Sequence, residues 1–335
     1  MTKKTSQWHR LALLAACISA SVIPGAFAAA PVLYEMHTSG SVWGYLGTPC
    51  NGQVCSSWEM LNDDPLTIQI AAGAGTLYQL DSDGTIWQWN GAVCSGNTCK
   101  RWTQIGFAAS QIWAAGRNLY ALSSSSFVQF TGQACWNPES CPGWTQIDDD
   151  CCATYYVQDY YVVKVTTPDG VSLVVDQYTG QPCAPLSNCT GWEPLESLSV
   201  LPTLATGMTG LYQLYPNGDI SVLDGCWNGP CPWSPIGDNT NSTQITAGNN
   251  LYQLQNNGTV LQYTGTVCSG TFCNGWLELD SNPAIHSIIA GQNTVYEYHT
   301  NGSIWQYTGP CTYTLCRDWV ELDNNPMTIM VAPGY

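Results

Sequence analysis

Closely spaced cysteine pairs are the residues of this sequence with the clearest capacity for chemistry. In each pair, four or five residues separate the two thiols, and a tryptophan follows two or three positions later. The seven pairs are Cys50–Cys55, Cys94–Cys99, Cys135–Cys141, Cys183–Cys189, Cys226–Cys231, Cys268–Cys273 and Cys311–Cys316. Such pairs could ligate zinc or form disulfides. Because a four-ligand zinc site needs two pairs brought together, we expect a disulfide within each pair.

Two further cysteines, Cys151 and Cys152, are adjacent in the chain. A disulfide between neighbours strains the backbone that joins them, and strain of this kind is concentrated at functional sites. Two free thiols or an intermolecular bond would also account for this pair. An acidic run at 148–150 precedes the two cysteines and four tyrosines follow them, which marks this part of the chain as divergent.

A second set of side chains has the chemistry of carbohydrate binding. Aromatic rings can cover the apolar faces of sugars, while polar side chains bond the sugar hydroxyls. The candidates lie in three copies of a sequence repeat: Trp43, Trp87 and Trp305 share one position, His37 and His299 share another, and Asp83 lies in the corresponding turn of the third copy. The other copies have Val128, Asp176, Ser221 and Leu261 at the tryptophan position. We expect the six candidates to bind ligand, and core packing is the competing explanation for the tryptophans.

Catalytic chemistry has weaker support in this sequence. The histidines lack the spacing of metal ligands, and neither a nucleophile elbow of the GxSxG type nor a phosphate-binding glycine loop is present. The segment "DSDGTIW" is one residue too short for the aspartate box of sialidases. We therefore expect a protein that is not an enzyme and has no catalytic residue, cofactor or metal. A glycoside hydrolase or an oxidoreductase is the alternative.

The elements that must position these residues come from a repeat of about 44 residues. Segments such as "LYQLDSDGTIWQW" and "VYEYHTNGSIWQY" precede the cysteine pairs. One anchor residue can be followed through seven copies at intervals of 40 to 48 residues: Tyr34, Tyr78, Tyr120, Lys164, Tyr212, Tyr252 and Tyr296. Each copy holds four short runs rich in β-branched and aromatic residues, separated by turn residues. This pattern predicts an all-β fold, a seven-bladed β-propeller with four-stranded antiparallel blades.

The two ends of the repeat array predict a closed ring. The array starts near "APVLYEM", with the second strand of a blade, and ends with "MTIMVAPGY", the first strand of a blade. We therefore expect the C-terminal strand to complete the first blade, which removes exposed sheet edges. In a closed ring, the blades that carry Trp43, Trp87 and Trp305 are consecutive neighbours. A further tryptophan follows the cysteine pair in every repeat, which favours packing between blades.

The N-terminus has the pattern of a secretory signal. Lys3, Lys4 and Arg10 precede an apolar run that ends in "AFA", so we expect residues 1–28 to be removed and residues 29–335 to form a single propeller domain. Secretion agrees with the even number of paired cysteines. A lipid anchor on Cys17 of a bacterial lipoprotein is the alternative.

The charge excludes two classes of partner. The whole chain has 8 basic and 24 acidic residues, and removing residues 1–28 takes away three of the basic ones and leaves a formal charge of −19. Such a surface repels phosphate backbones and anionic lipids. We therefore expect neither nucleic-acid binding nor binding to a membrane surface. We also expect no insertion into a membrane, because no stretch after residue 28 has the pattern of a membrane span.

The repeat resembles the cysteine-paired "LYQLxxxGxIWQYTG" units of secreted fungal and bacterial proteins, and these are similar to tectonin and tachylectin-type propeller lectins. The resemblance covers about residues 31–335. It implies a secreted lectin that binds glycans or glycoproteins at several sites on one monomer, which would raise a weak single-site affinity. A secreted scaffold for protein partners is the alternative function.

Overall fold

The computed structural model describes residues 32–334, except 74, 92, 95–98, 100–101, 124–125, 138–139, 151–152, 159–160, 168–172, 185–188, 199, 224–231, 271 and 310–317. The expected signal peptide, Cys17 and the pairs Cys151–Cys152, Cys226–Cys231 and Cys311–Cys316 lie outside the described residues. In the described part of the chain, no helix is long and apolar enough to cross a membrane.

The described residues form 28 strands, four to a blade. Blade 1 contains β1 (Leu33–His37), β2 (Val42–Tyr45) and β3 (Trp58–Asn62). Blade 2 contains β4 (Thr67–Gly73), β5 (Thr76–Asp81), β6 (Ile86–Trp89) and β7 (Trp102–Gly106). Blade 3 contains β8 (Ala109–Ala115), β9 (Asn118–Ser123), β10 (Ser126–Phe130) and β11 (Trp144–Asp148). Blade 4 contains β12 (Thr154–Gln158), β13 (Tyr161–Thr166), β14 (Leu173–Tyr178) and β15 (Trp192–Leu198).

The remaining blades follow the same order. Blade 5 contains β16 (Thr203–Gly207), β17 (Gly210–Leu214), β18 (Asp219–Leu223) and β19 (Trp233–Asp238). Blade 6 contains β20 (Ser242–Ala247), β21 (Leu251–Gln255), β22 (Thr259–Tyr263) and β23 (Trp276–Ser281). Blade 7 contains β24 (Ile285–Ala290), β25 (Val295–His299), β26 (Ile304–Tyr307) and β27 (Trp319–Asp323). The last strand is β28 (Thr328–Pro333).

The ring closes as the sequence predicts. Strand β28 pairs antiparallel with β1, with Tyr34 opposite Ala332, and becomes the innermost strand of blade 1. The innermost strands contact one another in the order β28, β4, β8, β12, β16, β20, β24 and back to β28. The seven-bladed propeller and its closure by the C-terminal strand are therefore confirmed.

Glycine fixes the turn between the second and third strands of most blades. Gly40 and Gly302 have φ angles of 84° and 88°, which disfavour residues with a Cβ atom. A Cβ atom on Gly302 would also lie 2.3 Å from the carbonyl oxygen of Asn325, and one on Gly40 would lie 2.4 Å from that of Asp64. These turns therefore pack directly beneath the segment that leads into the next blade.

The core consists of clusters that lie between blades rather than one central mass. The anchor tyrosines are buried, and Tyr34 packs with Ile70, Ala72 and Leu77 of the next blade.

The strand register corrects one expectation from the sequence. Val163 lies opposite Gln177, as Tyr78 lies opposite Gln88, so Val163 occupies the anchor position in blade 4 and Lys164 lies one position later.

The tryptophans that follow the cysteine pairs join each blade to the one before it. The indole N–H of Trp58 donates to the carbonyl of Leu322 at 2.8 Å, a bond across the closure of the ring. Equivalent bonds run from Trp102 to Leu61, Trp144 to Ile105, Trp192 to Ile147, Trp276 to Ile236 and Trp319 to Leu279. Among the described residues, the buried indole nitrogen of Trp233 has no partner. The expected packing between blades is confirmed.

Five of the expected disulfides lie in the described residues: Cys50–Cys55, Cys94–Cys99, Cys135–Cys141, Cys183–Cys189 and Cys268–Cys273. The first cysteine of each of these pairs donates its backbone N–H to a carbonyl of the preceding blade, as Cys50 does to Glu321 at 2.8 Å and Cys268 does to Pro235 at 3.0 Å. Each disulfide therefore constrains a loop that is bonded to the neighbouring blade.

Candidate functional site

Trp43 and Trp305 lie in almost identical surroundings in blades 1 and 7. Each ring is half-buried, and its indole N–H donates to the hydroxyl two positions earlier, Ser41 or Ser303, at 3.1 Å. His37 stacks on Trp43 with 5.6 Å between ring centroids, and His299 stacks on Trp305 at 6.0 Å. Both histidines are buried, so each covers part of its tryptophan ring from the protein side.

A buried glutamate completes each of these clusters. His37 Nε2 lies 2.8 Å from Glu35 Oε1, and His299 Nε2 lies 3.1 Å from Glu297 Oε2. Burial is the largest cause that raises the pKa of Glu35 to about 7, while its histidine lowers that pKa and the nearby Asp323 raises it. Burial likewise raises the pKa of Glu297 to about 7.

Blade 2 carries a related arrangement with an amide in place of the glutamate. Gln79 replaces the glutamate, Asp81 replaces the histidine, and the N–H of Trp87 donates to Thr85 at 3.1 Å. Asn62 of blade 1 donates to Gln79 Oε1 at 2.7 Å, and Gln79 donates in turn to Asp81 at 3.1 Å. A chain of matched donors and acceptors therefore crosses the interface between blades 1 and 2.

Asp83 is exposed in the turn before Trp87. Its carboxylate accepts hydrogen bonds from the Thr85 hydroxyl at 2.6 Å and the Thr85 backbone N–H at 2.9 Å, and these bonds lower the pKa of Asp83. The described bonds of Asp83 hold the hairpin turn. The structure places His37 beside Trp43 and His299 beside Trp305, and Asp83 lies in the same blade as Trp87. The ligand role of all six candidates stays a prediction.

Comparison around the ring identifies two facing positions whose residues vary between interfaces, which we call the interface pair. The fourth strand of each blade, its outer strand, starts with the tryptophan that follows the cysteine pair. The first member of the interface pair is the fourth residue after this outer-strand tryptophan. The second member is the residue that follows the anchor position in the next blade. The pairs, taken around the ring, are Asp323–Glu35, Asn62–Gln79, Gly106–Ala121, Asp148–Lys164, Glu196–Gln213, Gly237–Gln253 and Asp280–Glu297.

The chemistry of the interface pair falls into three kinds. Lys164 forms a buried ion pair with Asp148 at 3.0 Å, and Gln213 donates to Glu196, so these pairs are matched like the two amides of blades 1 and 2. The pairs on both sides of blade 7 each hold two carboxyl groups. At the other two interfaces, Gly106 and Gly237 contribute no side chain to the pair.

Pockets occupy the two interfaces where the pair contains glycine. Between blades 5 and 6, a pocket of about 330 Å³ lies against Gly237, Gln253, Leu261 and Trp276. Between blades 2 and 3, a smaller and more apolar pocket of about 180 Å³ is lined by residues that include Phe107 and Trp144. At the position of Trp43, Trp87 and Trp305, blade 6 has Leu261 and blade 3 has Val128, and each of these residues lines its pocket. These two pockets therefore occur where the tryptophan is replaced by an aliphatic residue.

A further cleft lies between blades 6 and 7, at the opposite end of the strands from the turns that precede Trp43, Trp87 and Trp305. It has a volume of about 700 Å³ and is lined by side chains that donate and accept hydrogen bonds without formal charge. The described lining residues are Asn250, Tyr252, Gln262, Leu277, Asn293, Thr294, Gln306, Tyr307, Thr308 and Gly309. Amides, hydroxyls and tyrosine rings in one cleft suit a neutral, polyhydroxylated ligand.

Sequence reasoning did not find this cleft. Its residues come from two repeats that are 44 positions apart, as Asn249 and Asn293 show by the hydrogen bond between their side chains. The available signal was the run of asparagines in the turns of blades 6 and 7, at 249–250 and 293, where other blades have fewer amides.

The described residues also include two clusters with the geometry of metal ligands. One contains Cys50, Cys55 and Glu321, and the other contains Asp148, Asp149 and Cys189. In both clusters the cysteine sulfurs already belong to disulfides. These sulfurs therefore cannot serve as thiolate ligands for a metal ion.

No family model and no curated protein matches this sequence. Solved structures of similar shape include Prp20p from Saccharomyces cerevisiae, with 13% identity and a TM-score of 0.50 over 82% of this chain and 80% of that one. The yeast RCC1 (Prp20) complex with Kap60 gives 14% identity and a TM-score of 0.55, over 100% of this chain and 93% of that one. At these identities the likeness shows the β-propeller fold alone.

Proposed function

We propose that this protein is a secreted β-propeller lectin and that the cleft between blades 6 and 7 binds a glycan. The lining of that cleft is the observation that carries the proposal. Its four amide side chains can each offer a donor and an acceptor, and Tyr252 and Tyr307 add aromatic surface. The resemblance of the repeats to tectonin and tachylectin-type lectins supports the same assignment, and the disulfides are compatible with an extracellular location.

The three tryptophans of blades 7, 1 and 2 are the second part of this proposal. Each presents a half-exposed ring whose N–H is already bonded within the protein, so it would contribute stacking rather than a hydrogen bond. Glycan contacts at both the cleft and this sector would make a single monomer multivalent.

The proposal assigns no catalytic role. Carboxyl groups with a raised pKa often act as catalytic acids. However, Glu35 and Glu297 are each only 1% exposed, and packing between blades separates them from any substrate. We therefore expect both glutamates to act on the contacts between blades and not on a substrate.

A glycan array probed with residues 29–335 tests the proposal. We expect discrete binding, and we expect Gln306→Ala to weaken it about tenfold, the effect of one lost hydrogen bond. Gln88→Ala is the matched control, because Gln88 has the same strand register in blade 2 and lies outside the described lining of the cleft. Equal binding by the wild type and Gln306→Ala would contradict glycan binding in the cleft. Loss of binding with Trp87→Ala would support glycan contacts at the tryptophans of blades 7, 1 and 2.

A scaffold for protein partners is the second candidate function, and one surface favours it. Leu66, Ile68, Met327 and Ile329 lie at equivalent positions at the start of the innermost strands of blades 2 and 1, and each is about half exposed. Among proteins of the same fold, Prp20p has binding properties to Gsp1p and histones. Two results together would favour this function over the lectin. The protein would bind no glycan on the array, and it would capture a protein partner that the variant Ile68→Asp does not capture.

A further inference from the structure

Blade 7 is the one blade with a pair of carboxyl groups at both of its interfaces. Glu297 of blade 7 faces Asp280 of blade 6, and Asp323 of blade 7 faces Glu35 of blade 1. Glu35 and Glu297 are 1% exposed, and Asp323 is 6% exposed. Asp280 is half-buried. Two neighbouring carboxylates repel each other, and burial adds a desolvation cost that is largest for the two glutamates.

The groups around the two glutamates offer only partial compensation. Glu35 faces His37 on its own strand, Asp323 on β27, the hydroxyl of Thr328 on β28 and the phenol of Tyr298 on β25. Thr328 donates to Glu35 Oε2 at 3.2 Å. Among the described groups that face Glu35, none is a lysine or an arginine.

Glu297 has fewer partners. It faces His299 on its own strand and Asp280 on β23, while Glu321 of β27 interacts with His299 and Asp323. Among the described residues, Glu297 Oε1 is buried without a hydrogen-bond partner. A proton on one carboxyl of the Asp280–Glu297 pair would supply that bond and remove the repulsion.

We propose that these two carboxyl pairs are proton-dependent latches that hold blade 7 against both neighbours in acid and loosen it as they ionise. The cleft between blades 6 and 7 then keeps its shape in acid and loses it in alkali, so ligand would be released as the pH rises. The latch stands on the carboxyl geometry, and only the effect on ligand rests on the proposed lectin function.

The direction of the pH effect follows from the raised pKa values. Glu35 and Glu297 have pKa values of about 7 in the folded protein, above the ordinary value of 4.5. Between these two values the folded protein holds protons that the unfolded chain has released. The stabilisation is therefore complete below pH 4.5 and is lost as the pH rises through about 7.

Hydrogen exchange of the backbone tests the latch without any glycan. After correction for the intrinsic pH dependence of exchange, we expect β24–β27 to lose about tenfold more protection than β4–β7 between pH 5 and pH 8. The variant Glu35→Gln/Glu297→Gln should remove this difference, because a neutral amide has nothing to ionise. Unchanged pH dependence in the folded double variant would overturn the proposal, as would uniform loss of protection in the wild type.

The amide pair between blades 1 and 2 provides the reverse experiment. Asn62→Asp/Gln79→Glu installs a carboxyl pair at the matching register, so the protection of β4–β7 should become pH-dependent in turn. If this variant stays folded and blade 2 remains insensitive to pH, the proposal fails. This experiment keeps the test decisive even where Glu297→Gln does not fold.

Binding of an array-selected glycan at pH 5 and pH 8 tests the effect on the cleft. The wild type should bind at least about tenfold more weakly at pH 8, and Glu35→Gln/Glu297→Gln should bind equally at both. Equal binding by the wild type would overturn the link to the cleft. If no glycan binds at either pH while exchange responds as described, the lectin assignment fails and the latch stands.

Discussion

The interfaces between blades 1 and 2 and between blades 6 and 7 share a backbone register but differ in the chemistry of the pair that crosses them. Asn62 and Gln79 satisfy each other as neutral donor and acceptor, whereas Asp280 and Glu297 both carry an ionisable carboxyl group. The repeated backbone therefore allows one pair of side chains to change the strength of an interface without changing the fold. A ring built in this way can be uniform in shape and still have blades that differ in stability.

Converting a matched pair into an unmatched one should have the largest effect. Lys164→Met removes the cation that compensates Asp148 in a buried pair, so we expect a loss of about 3 kcal/mol of unfolding free energy, measured by urea denaturation at pH 7. Asp148→Asn/Lys164→Gln recreates the amide pair of blades 1 and 2 and should recover most of the loss. A single variant as stable as the wild type would show that the pairs do not set interface strength.

The bonds of the outer-strand tryptophans allow a comparison of intermediate size. Trp276→Phe removes the bond to the carbonyl of Ile236, whereas Trp233→Phe removes an indole nitrogen that has no partner among the described residues. We expect Trp276→Phe to cost about 1 kcal/mol more than Trp233→Phe, because the loss of ring area is common to both. Equal costs in thermal denaturation would mean that the indole bonds do not stabilise the ring.

Adding a side chain to an interface pair that contains glycine should have the smallest effect. Gly237→Asn places an amide where Asn62 stands in the matched interface, and we expect it to donate to Gln253 as Asn62 does to Gln79. The nearest atoms to a Cβ atom on Gly237 lie at 3.4 Å, an ordinary contact distance. We expect a gain of about 0.5–1 kcal/mol over the control Gly237→Ala, and a lower stability would contradict the equivalence of the interfaces.

The blades were predictable from the sequence because each repeat carries its own strand and turn signals. The anchor tyrosines, the five described cysteine pairs and the C-terminal strand that completes blade 1 all lie where the repeat predicts. The anchor of blade 4 was assigned wrongly, since Lys164 was aligned with tyrosines although Val163 occupies their register. A divergent repeat offers no local signal that distinguishes these two neighbouring positions.

The interface pairs and the cleft could not be predicted in the same way. Asp323 and Glu35 lie near opposite ends of the chain, and they meet only because the ring closes. Within one repeat, a glutamate after the anchor tyrosine has the alternation of any strand residue. Its partner becomes known only when the outer strand of the preceding blade is placed beside it.

A crystal structure with an array-selected glycan bound at pH 5 tests the central claim most directly. Our account predicts sugar density in the cleft between blades 6 and 7, with hydroxyls bonded to Gln306 and at least one of Asn250 and Asn293. Density confined to another part of the ring, with this cleft filled only by solvent, would contradict it.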